Sequence, residues 1–317
     1  MSIAPITWFP HAPLQPLNLP WLDSAGVEVA VLRLDLIDPL ISGNKWFKLA
    51  HHLAAAAQSN ALGVMSLGGA HSNHLHALAA AGKRFGFPTV GLLRGHAQQT
   101  PTTQDLQALG MQLHWLGYGG YRDRHQPDFW LPWLARYPGF YPVPEGGGGL
   151  AGALGCAALL TMVRNQLNEL GWADYHGWWL AAGTGTTLAG LVVAEAGAHP
   201  VYGAMAVPEG HGVRENVAAI LLAANPVDRV ASLADKAPCA LFHLLDASRG
   251  GFARTDPLLL DFMAISETRS GIPLEPLYTG KALLTLHGEV AVGRFAVGTR
   301  LIFVHTGGLQ GRRAMGL

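Results

Sequence analysis

Charge is scarce in this chain. Of 317 residues only 13% are Asp, Glu, Lys or Arg, and the 21 basic residues match the 21 acidic ones. Without a net field, nothing draws the chain to nucleic acid or to an anionic membrane surface. Cysteine is nearly absent: Cys156 and Cys239 stand far apart in apolar surroundings. They read as small core residues in a reducing compartment, not as a disulfide framework or a metal site. A membrane span is also lacking. The longest weakly polar run, 146–163, is rich in Gly and Ala, and Arg164 ends it. The N-terminus has no basic start followed by an apolar core, which argues against a signal peptide. The expectation is a cytoplasmic, soluble protein with no internal repeat and no low-complexity segment.

Half of the residues are hydrophobic, enough for a substantial core. Few charges on such a chain leave little to keep a monomer apart, which favours a homodimer. Residues 1–26 read as an irregular lead-in, interrupted by Pro5, Pro10, Pro13, Pro16 and Pro20. Strand-like and helix-like stretches then alternate. Strands are expected at 27–37, 62–67, 88–93, 111–116, 140–143, 178–182, 201–207, 240–245 and 300–305. Helices are expected at 46–57, 72–85, 102–109, 128–137, 150–170 and from the 183–187 loop through Glu195. This alternation calls for an α/β fold with parallel-rich, twisted sheets flanked by helices. Gly146 to Gly149 is the one flexible-looking break.

Chemistry concentrates in a few stretches. Ser42-Gly43-Asn44-Lys45 joins a strand to a helix. A lysine at a helix N-terminus is poorly placed for a cation, so Lys45 deprotonates more easily and becomes a nucleophile toward an aldehyde. A solvated surface lysine is the plainer alternative. Gly68-Gly69-Ala70-His71-Ser72-Asn73-His74 runs from a strand into a helix whose first amides could hold a carboxylate, or which Ser72 simply caps. His71, His74 and His76 are spaced so that they do not share one helical face, which argues against a metal. Gly183-Thr184-Gly185-Thr186-Thr187 follows a buried strand and opens a helix, a cup for a phosphate or else a tight turn. It lacks the Gly-Lys-Ser/Thr of a Walker loop and the third glycine of a dinucleotide loop. A lysine, a phosphate cup and a carboxylate-binding helix start fit an aldehyde cofactor with a phosphate tail that works on an amino acid. That cofactor is pyridoxal phosphate.

Ser42-Gly43-Asn44-Lys45 with Lys48, Gly68-Gly69 through Ser72-Asn73, Pro144-Glu145-Gly146-Gly147, Tyr278-Thr279-Gly280-Lys281 and His305-Thr306-Gly307-Gly308 are five motifs that stand in order along a chain stretch from about Val29 to the C-terminus. The chain thereby resembles the 1-aminocyclopropane-1-carboxylate deaminase and D-cysteine desulfhydrase family, fold-type-II pyridoxal-phosphate enzymes of the tryptophan-synthase-β-like architecture. The resemblance implies two lobes, 1–48 with 148–317 and 49–147, with the cofactor in the cleft between them. It implies that Lys45 holds the cofactor through a Schiff base and shuttles protons. Asn73 would bond the cofactor's ring oxygen. Ser72, with the amides around Asn73 and His74, would bind the substrate carboxylate, and Ser72 could accept a proton. Thr184, Gly185, Thr186 and Thr187 would cradle the phosphate. Tyr278 would lie beside cofactor and substrate, and Thr279 would face the pyridine nitrogen. Lys48 would support the phosphate end or lie on the surface.

Departures from the family pattern bear on the substrate. Thr279 stands where the deaminases usually carry a glutamate, and a neutral hydroxyl makes a weaker electron sink, as suits the desulfhydrase branch. Phe252, in Gly251-Phe252-Ala253, stands where a tyrosine hydroxyl is usual. Trp46 and Phe47 replace smaller or basic residues and His74 replaces a common glutamine, which implies a changed pocket. The expected reaction is α,β-elimination from a small amino acid such as D-cysteine. Deaminase activity on the cyclopropane amino acid, racemase or dehydratase chemistry on serine-like substrates, and a non-catalytic cofactor-binding protein are the other readings.

Overall fold

The computed structural model describes residues 2–224 and 242–313. Among the described residues ten strands form two sheets. The larger is assembled from β1 (Leu14–Pro16), β2 (Glu28–Arg33), β7 (Gly177–Ala182), β8 (Val201–Met205), β9 (Phe242–Asp246) and β10 (Arg300–His305). Its order is β1-β2-β10-β7-β8-β9, parallel except for β1. The smaller contains β3 (Gly63–Gly68), β4 (Thr89–Leu93), β5 (Gln112–Trp115) and β6 (Phe140–Pro142) in the order β5-β4-β3-β6, all parallel. This is the α/β, parallel-rich architecture expected from the alternation of strands and helices.

Both sheets are covered by helices, so their central strands are apolar along their length. In β7 every residue is buried, Trp178 and Trp179 completely. Each indole N–H finds an acceptor: Trp178 donates to Glu195 Oε1 at 2.5 Å and Trp179 to the Ala282 carbonyl at 2.9 Å. These bonds fix the Thr186–Glu195 helix on one face of the sheet and the Thr279–Ala291 helix on the other.

Several expectations are corrected. The lead-in is irregular over residues 2–13 and 17–19, but it also forms a short strand and a short helix, whose prolines stand where proline is tolerated. Pro16 ends an edge strand and Pro20 opens the Pro20–Ala25 helix. The strand expected over 27–37 stops at Arg33, and a 3₁₀ turn, Leu34–Leu36, follows. The long helix expected over 150–170 is three pieces: Gly149–Cys156, Ala158–Arg164 and the 3₁₀ turn Leu167–Leu170. Ala157 N bonds Leu154 O and Leu160 N bonds Ala157 O, three-residue bonds that tighten and redirect the chain. The helix expected over 128–137 shrinks to Leu131–Arg136, and an unforeseen one, Gly117–Arg122, precedes it. The glycine break at 146–149 is a packed turn: a side chain at Gly147 would meet Lys48 Cβ at 3.0 Å and His74 Cε1 at 3.3 Å. Cys156 is a buried core residue, whereas Cys239 lies outside the described residues. Among the described residues no helix is long and apolar enough to cross a membrane.

Candidate active site

The segments bearing Lys45, Ser72 to His74, Thr184 to Thr187 and His305 to Gly308 lie at or just after the carboxyl ends of parallel strands, where open α/β sheets place their ligands. The stretch after β2 leads to Lys45, the first residue of the Lys45–Gln58 helix. It runs backbone to backbone against the turn after β10. Gly43 has φ +81°, and a side chain there would overlap the Thr306 carbonyl. A side chain at Gly307 would in turn come within 2.5 Å of Gly43 Cα. Asn44 holds the arrangement: its amide donates to Thr306 O at 3.1 Å and its Nδ2 to Thr187 Oγ1 at 2.9 Å. Its Oδ1 accepts from Lys45 Nζ at 2.9 Å. Asn44 thus ties the lysine to the Thr184–Thr187 loop.

The Lys45 amine is pulled down to about 7 by burial first and by the Lys48 charge second, with Glu275 among the groups that oppose this. The helix terminus identified from sequence is therefore not the main cause. Lys48 is buried, and desolvation lowers its pKa too. Trp46 and Phe47, read from sequence as signs of a changed pocket, face the interior. Both are buried in the core, where Trp46 packs on Trp8 with centroids 4.5 Å apart and on Phe85 at 5.6 Å.

After β3, Ser72 caps the Asn73–Phe85 helix, its Oγ accepting from Leu75 N at 3.2 Å. The amides of Asn73 and His74, first in that helix, have no helical carbonyl to bond. Asn73 Oδ1 is buried without a partner. The His74 ring turns away into the protein. Its Nε2 lies 2.8 Å from Ser66 Oγ, which itself donates to Val143 O, so Nε2 carries the proton and Nδ1 is bare. Burial holds His74 well below the usual histidine range, so its ring brings no charge to this helix start and its backbone N–H is the group left unpaired there. His76 faces Asp105 at 3.4 Å and His71 is exposed. Among the described residues no group of three His, Cys, Asp or Glu is arranged to hold a metal ion.

After β7, Gly185 takes φ +78° at the start of the Thr186–Glu195 helix, with no side chain capping its amides. Thr184 and Thr186 hydroxyls lie 2.9 Å apart, and both Thr186 and Thr187 are buried. A side chain at Gly185 would meet Val217 Cγ2 at 2.5 Å. Uncapped amides, a glycine cradle, a poised amine and an orphaned Asn73 oxygen together fit an aldehyde with a phosphate tail.

The far wall comes from the segment leading into the Thr279–Ala291 helix. The Tyr278 ring faces Gly183, where a side chain would touch Cε1 at 3.2 Å, and stands 5.9 Å from the Phe252 ring. Burial raises its pKa, so the hydroxyl keeps its proton. Phe252 is 48% exposed, on a loop tied down by buried Lys281, which donates to Ser248 O at 2.9 Å and Gly251 O at 3.2 Å. Thr279 Oγ1 accepts from Glu275 N at 2.8 Å and donates to Glu275 O at 3.3 Å, so its hydroxyl is already engaged.

Sequence reasoning missed Glu275. Its buried carboxylate accepts from the amides of Leu277, Tyr278 and Thr279. Desolvation raises its pKa to about 7, against the pull of those amides and of Lys45. An acidic residue just before a helix start was the available signal. Asn44, Lys281 and His305 were quoted within motifs but given no role. Two cavities, of about 240 and 200 Å³, lie beside Arg249 and Lys281 and beside Asp38 and Arg84, not at the lysine.

Comparison with known proteins agrees with this chemistry. The family described as "Pyridoxal-phosphate dependent enzyme" matches residues 11–307. A Pyrococcus furiosus protein, named provisionally as a 1-aminocyclopropane-1-carboxylate deaminase, is 28% identical over 90% of this chain and 86% of its own. The D-cysteine desulfhydrase of Salmonella newport is 26% identical over 97% of both chains. The crystal structure of an ACC deaminase homologue superposes with a TM-score of 0.81 at 25% identity, covering 98% of this chain and 92% of that one. A serine racemase from Dictyostelium discoideum shares the fold, with a TM-score of 0.66 at 12% identity.

Proposed function

This chain belongs to the pyridoxal-phosphate dependent enzyme family, and we propose that it is a lyase carrying out α,β-elimination on a small amino acid such as D-cysteine. With water, that substrate gives a 2-oxo acid, ammonia and sulfide. Bound here, pyridoxal phosphate supplies an aldehyde for an amino group and an electron sink for the α-carbon. The residues of this chain do the rest. Lys45, its amine near neutrality, holds the cofactor and moves protons at Nζ. Ser72 Oγ and the amides of Asn73 and His74 take the substrate carboxylate. Asn73 meets the ring oxygen. Thr184, Gly185, Thr186 and Thr187 hold the phosphate, with Lys48 adding its charge. Tyr278 and Phe252 flank the substrate, and Thr279 lies toward the pyridine nitrogen.

The single observation that carries the elimination reading is the Thr279 hydroxyl. It is neutral and already bonded to the Glu275 backbone. A neutral group leaves the electron sink weak, which suffices for losing an α-proton and a β leaving group. The Pyrococcus relative keeps deaminase activity as the second reading. The proposal further divides the protein into lobes 1–48 with 148–317 and 49–147, each built on one sheet, with the cofactor between them. It takes the molecule to be a cytoplasmic homodimer, in keeping with its low charge and with exposed Phe9, Val292 and Val297.

The test is the visible spectrum of the purified protein before and after borohydride, with the reduced adduct mapped by peptide mass. A yellow protein labelled at Lys45, releasing sulfide from D-cysteine, is the expected result. Release of 2-oxobutanoate from the cyclopropane amino acid instead would favour the deaminase. A protein that stays colourless with added cofactor would refute both.

A further inference from the structure

His305 ends β10 and is completely buried. Its Nε2 lies 2.7 Å from the Pro273 carbonyl, which can only accept, so Nε2 carries a proton. Its Nδ1 accepts from the Gly307 amide at 3.3 Å. One imidazole therefore joins two walls of the cleft. Pro273 begins the segment carrying Glu275, Tyr278 and Thr279. Gly307 abuts Gly43 by its backbone, and a side chain at Gly308 would meet Asn73 Nδ2 at 2.7 Å. The segments bearing Lys45 and Asn73 thus both lean on a turn that His305 holds.

A second acceptor waits beside the same nitrogen. Asp35 Oδ1 lies 3.2 Å from Nδ1, with both side chains fully buried. Asp35 is gripped by Arg33, whose Nε donates to Oδ1 at 2.9 Å and whose terminal nitrogen donates to Oδ2 at 2.6 Å. Gln15 accepts from Arg33 in turn at 2.8 Å. Neutral His305 serves Gly307. Protonated His305 has a hydrogen on Nδ1 that can go to Asp35 and can no longer accept from Gly307.

We propose that His305 is a positioning residue whose neutral, Nε2-protonated form locks the Gly307–Gly308 turn against the Lys45 and Asn73 segments, and that its protonation transfers Nδ1 to Asp35 and frees the turn. The charged groups acting on the ring are Asp35 and Arg33. Burial holds its pKa below the usual histidine range, with Asp35 opposing, so the lock is closed at neutral pH and opens in acid. The importance of the lock to catalysis rests on reading this cleft as the cofactor site, whereas the lock itself does not.

Hydrogen–deuterium exchange on the full chain, with and without pyridoxal phosphate, tests it in wild type, His305→Ala, His305→Asn and His305→Gln. Asn keeps an acceptor near the place of Nδ1, and Gln keeps a donor near the place of Nε2. In His305→Ala, segments 306–309 and 43–46 should exchange about five- to tenfold faster, the loss of one hydrogen bond. His305→Asn should restore protection of 306–309 and keep it in acid, and His305→Gln should not. In wild type, exchange of 306–309, corrected for its intrinsic pH dependence, should rise in acid while β3 stays unchanged. Wild-type exchange in His305→Ala, or no acid step in wild type, overturns the proposal. Should His305→Ala not fold, the wild-type acid series alone decides. A wild type that takes up no cofactor would refute the assigned function, yet the exchange data would still judge the lock.

Discussion

Lys45 and Lys48 leave the same face of one helix, three residues apart, Lys48 buried and Lys45 half-buried. Side chains so spaced start about 5–6 Å apart. At about 6 Å and an effective dielectric of about 20, two unit charges repel by about 3 kcal/mol. Flexible stems separate the charges and solvent screens them, so about half of that, or about one pH unit, is the expected effect on Lys45. Lys48→Met keeps the stem and removes the charge. The Lys45 amine, now near 7, should rise to about 8, and at pH 7 its neutral fraction should fall from about a half to about a tenth. Capture of an aldehyde should then slow about fivefold at neutral pH and recover in mild base. The assay uses cofactor-free protein with pyridoxal lacking its phosphate, so that a lost phosphate contact does not enter. Adducts are fixed with borohydride and Lys45 is quantified by peptide mass across pH. A midpoint that stays put or moves down would refute the reasoning, because the Lys48 charge would then not act on Lys45.

Lys45→Met should be more heat-stable than wild type at pH 6, by about 3 °C. The lowered pKa of Lys45 penalises the fold while the amine is charged, so this gap should close between pH 7 and pH 10 in calorimetry. Glu275→Gln loses one of three amide bonds, because an NH₂ must face a donor, and should cost about 1 kcal/mol in denaturant unfolding. Its deficit should be largest below pH 4.5 and narrow by pH 7.5, since the raised pKa of Glu275 makes the wild type lose stability as pH climbs from 4.5 to about 7. Gly185→Ala forces a side chain into φ +78° and onto Val217. That strain, of about 1–2 kcal/mol, should weaken cofactor binding about tenfold in an absorbance titration.

Which elements exist was largely legible, and where they break was less so. Apolar runs such as 178–182 announce buried strands, and Thr100-Pro101 announced its helix as cap and first-turn proline. The split at Ala157 was not legible. Its cause is tertiary: Gly152 and Gly155 press against the backbone of Gly147 and Phe47, contacts that no local propensity encodes. The same limit applies at the site. Lys45 and the 183–187 loop stood out through their own spacing. The roles of Asn44, Glu275 and His305 depend on partners far along the chain, and Trp46 reads as pocket or core only once Trp8 is seen beside it.

The contact between Gly43 and Gly307 also bears on the order of assembly. It closes nearly the whole chain into one loop, and such closures are entropically slow. Strands β3 to β6 are neighbours in sequence and can pair early. A refolding molecule could therefore carry a complete small sheet and much of the large one while the floor beneath Lys45 is still open. The yellow colour of bound cofactor would appear after the recovery of secondary structure, and the interval between the two signals would time the docking of the β10 turn.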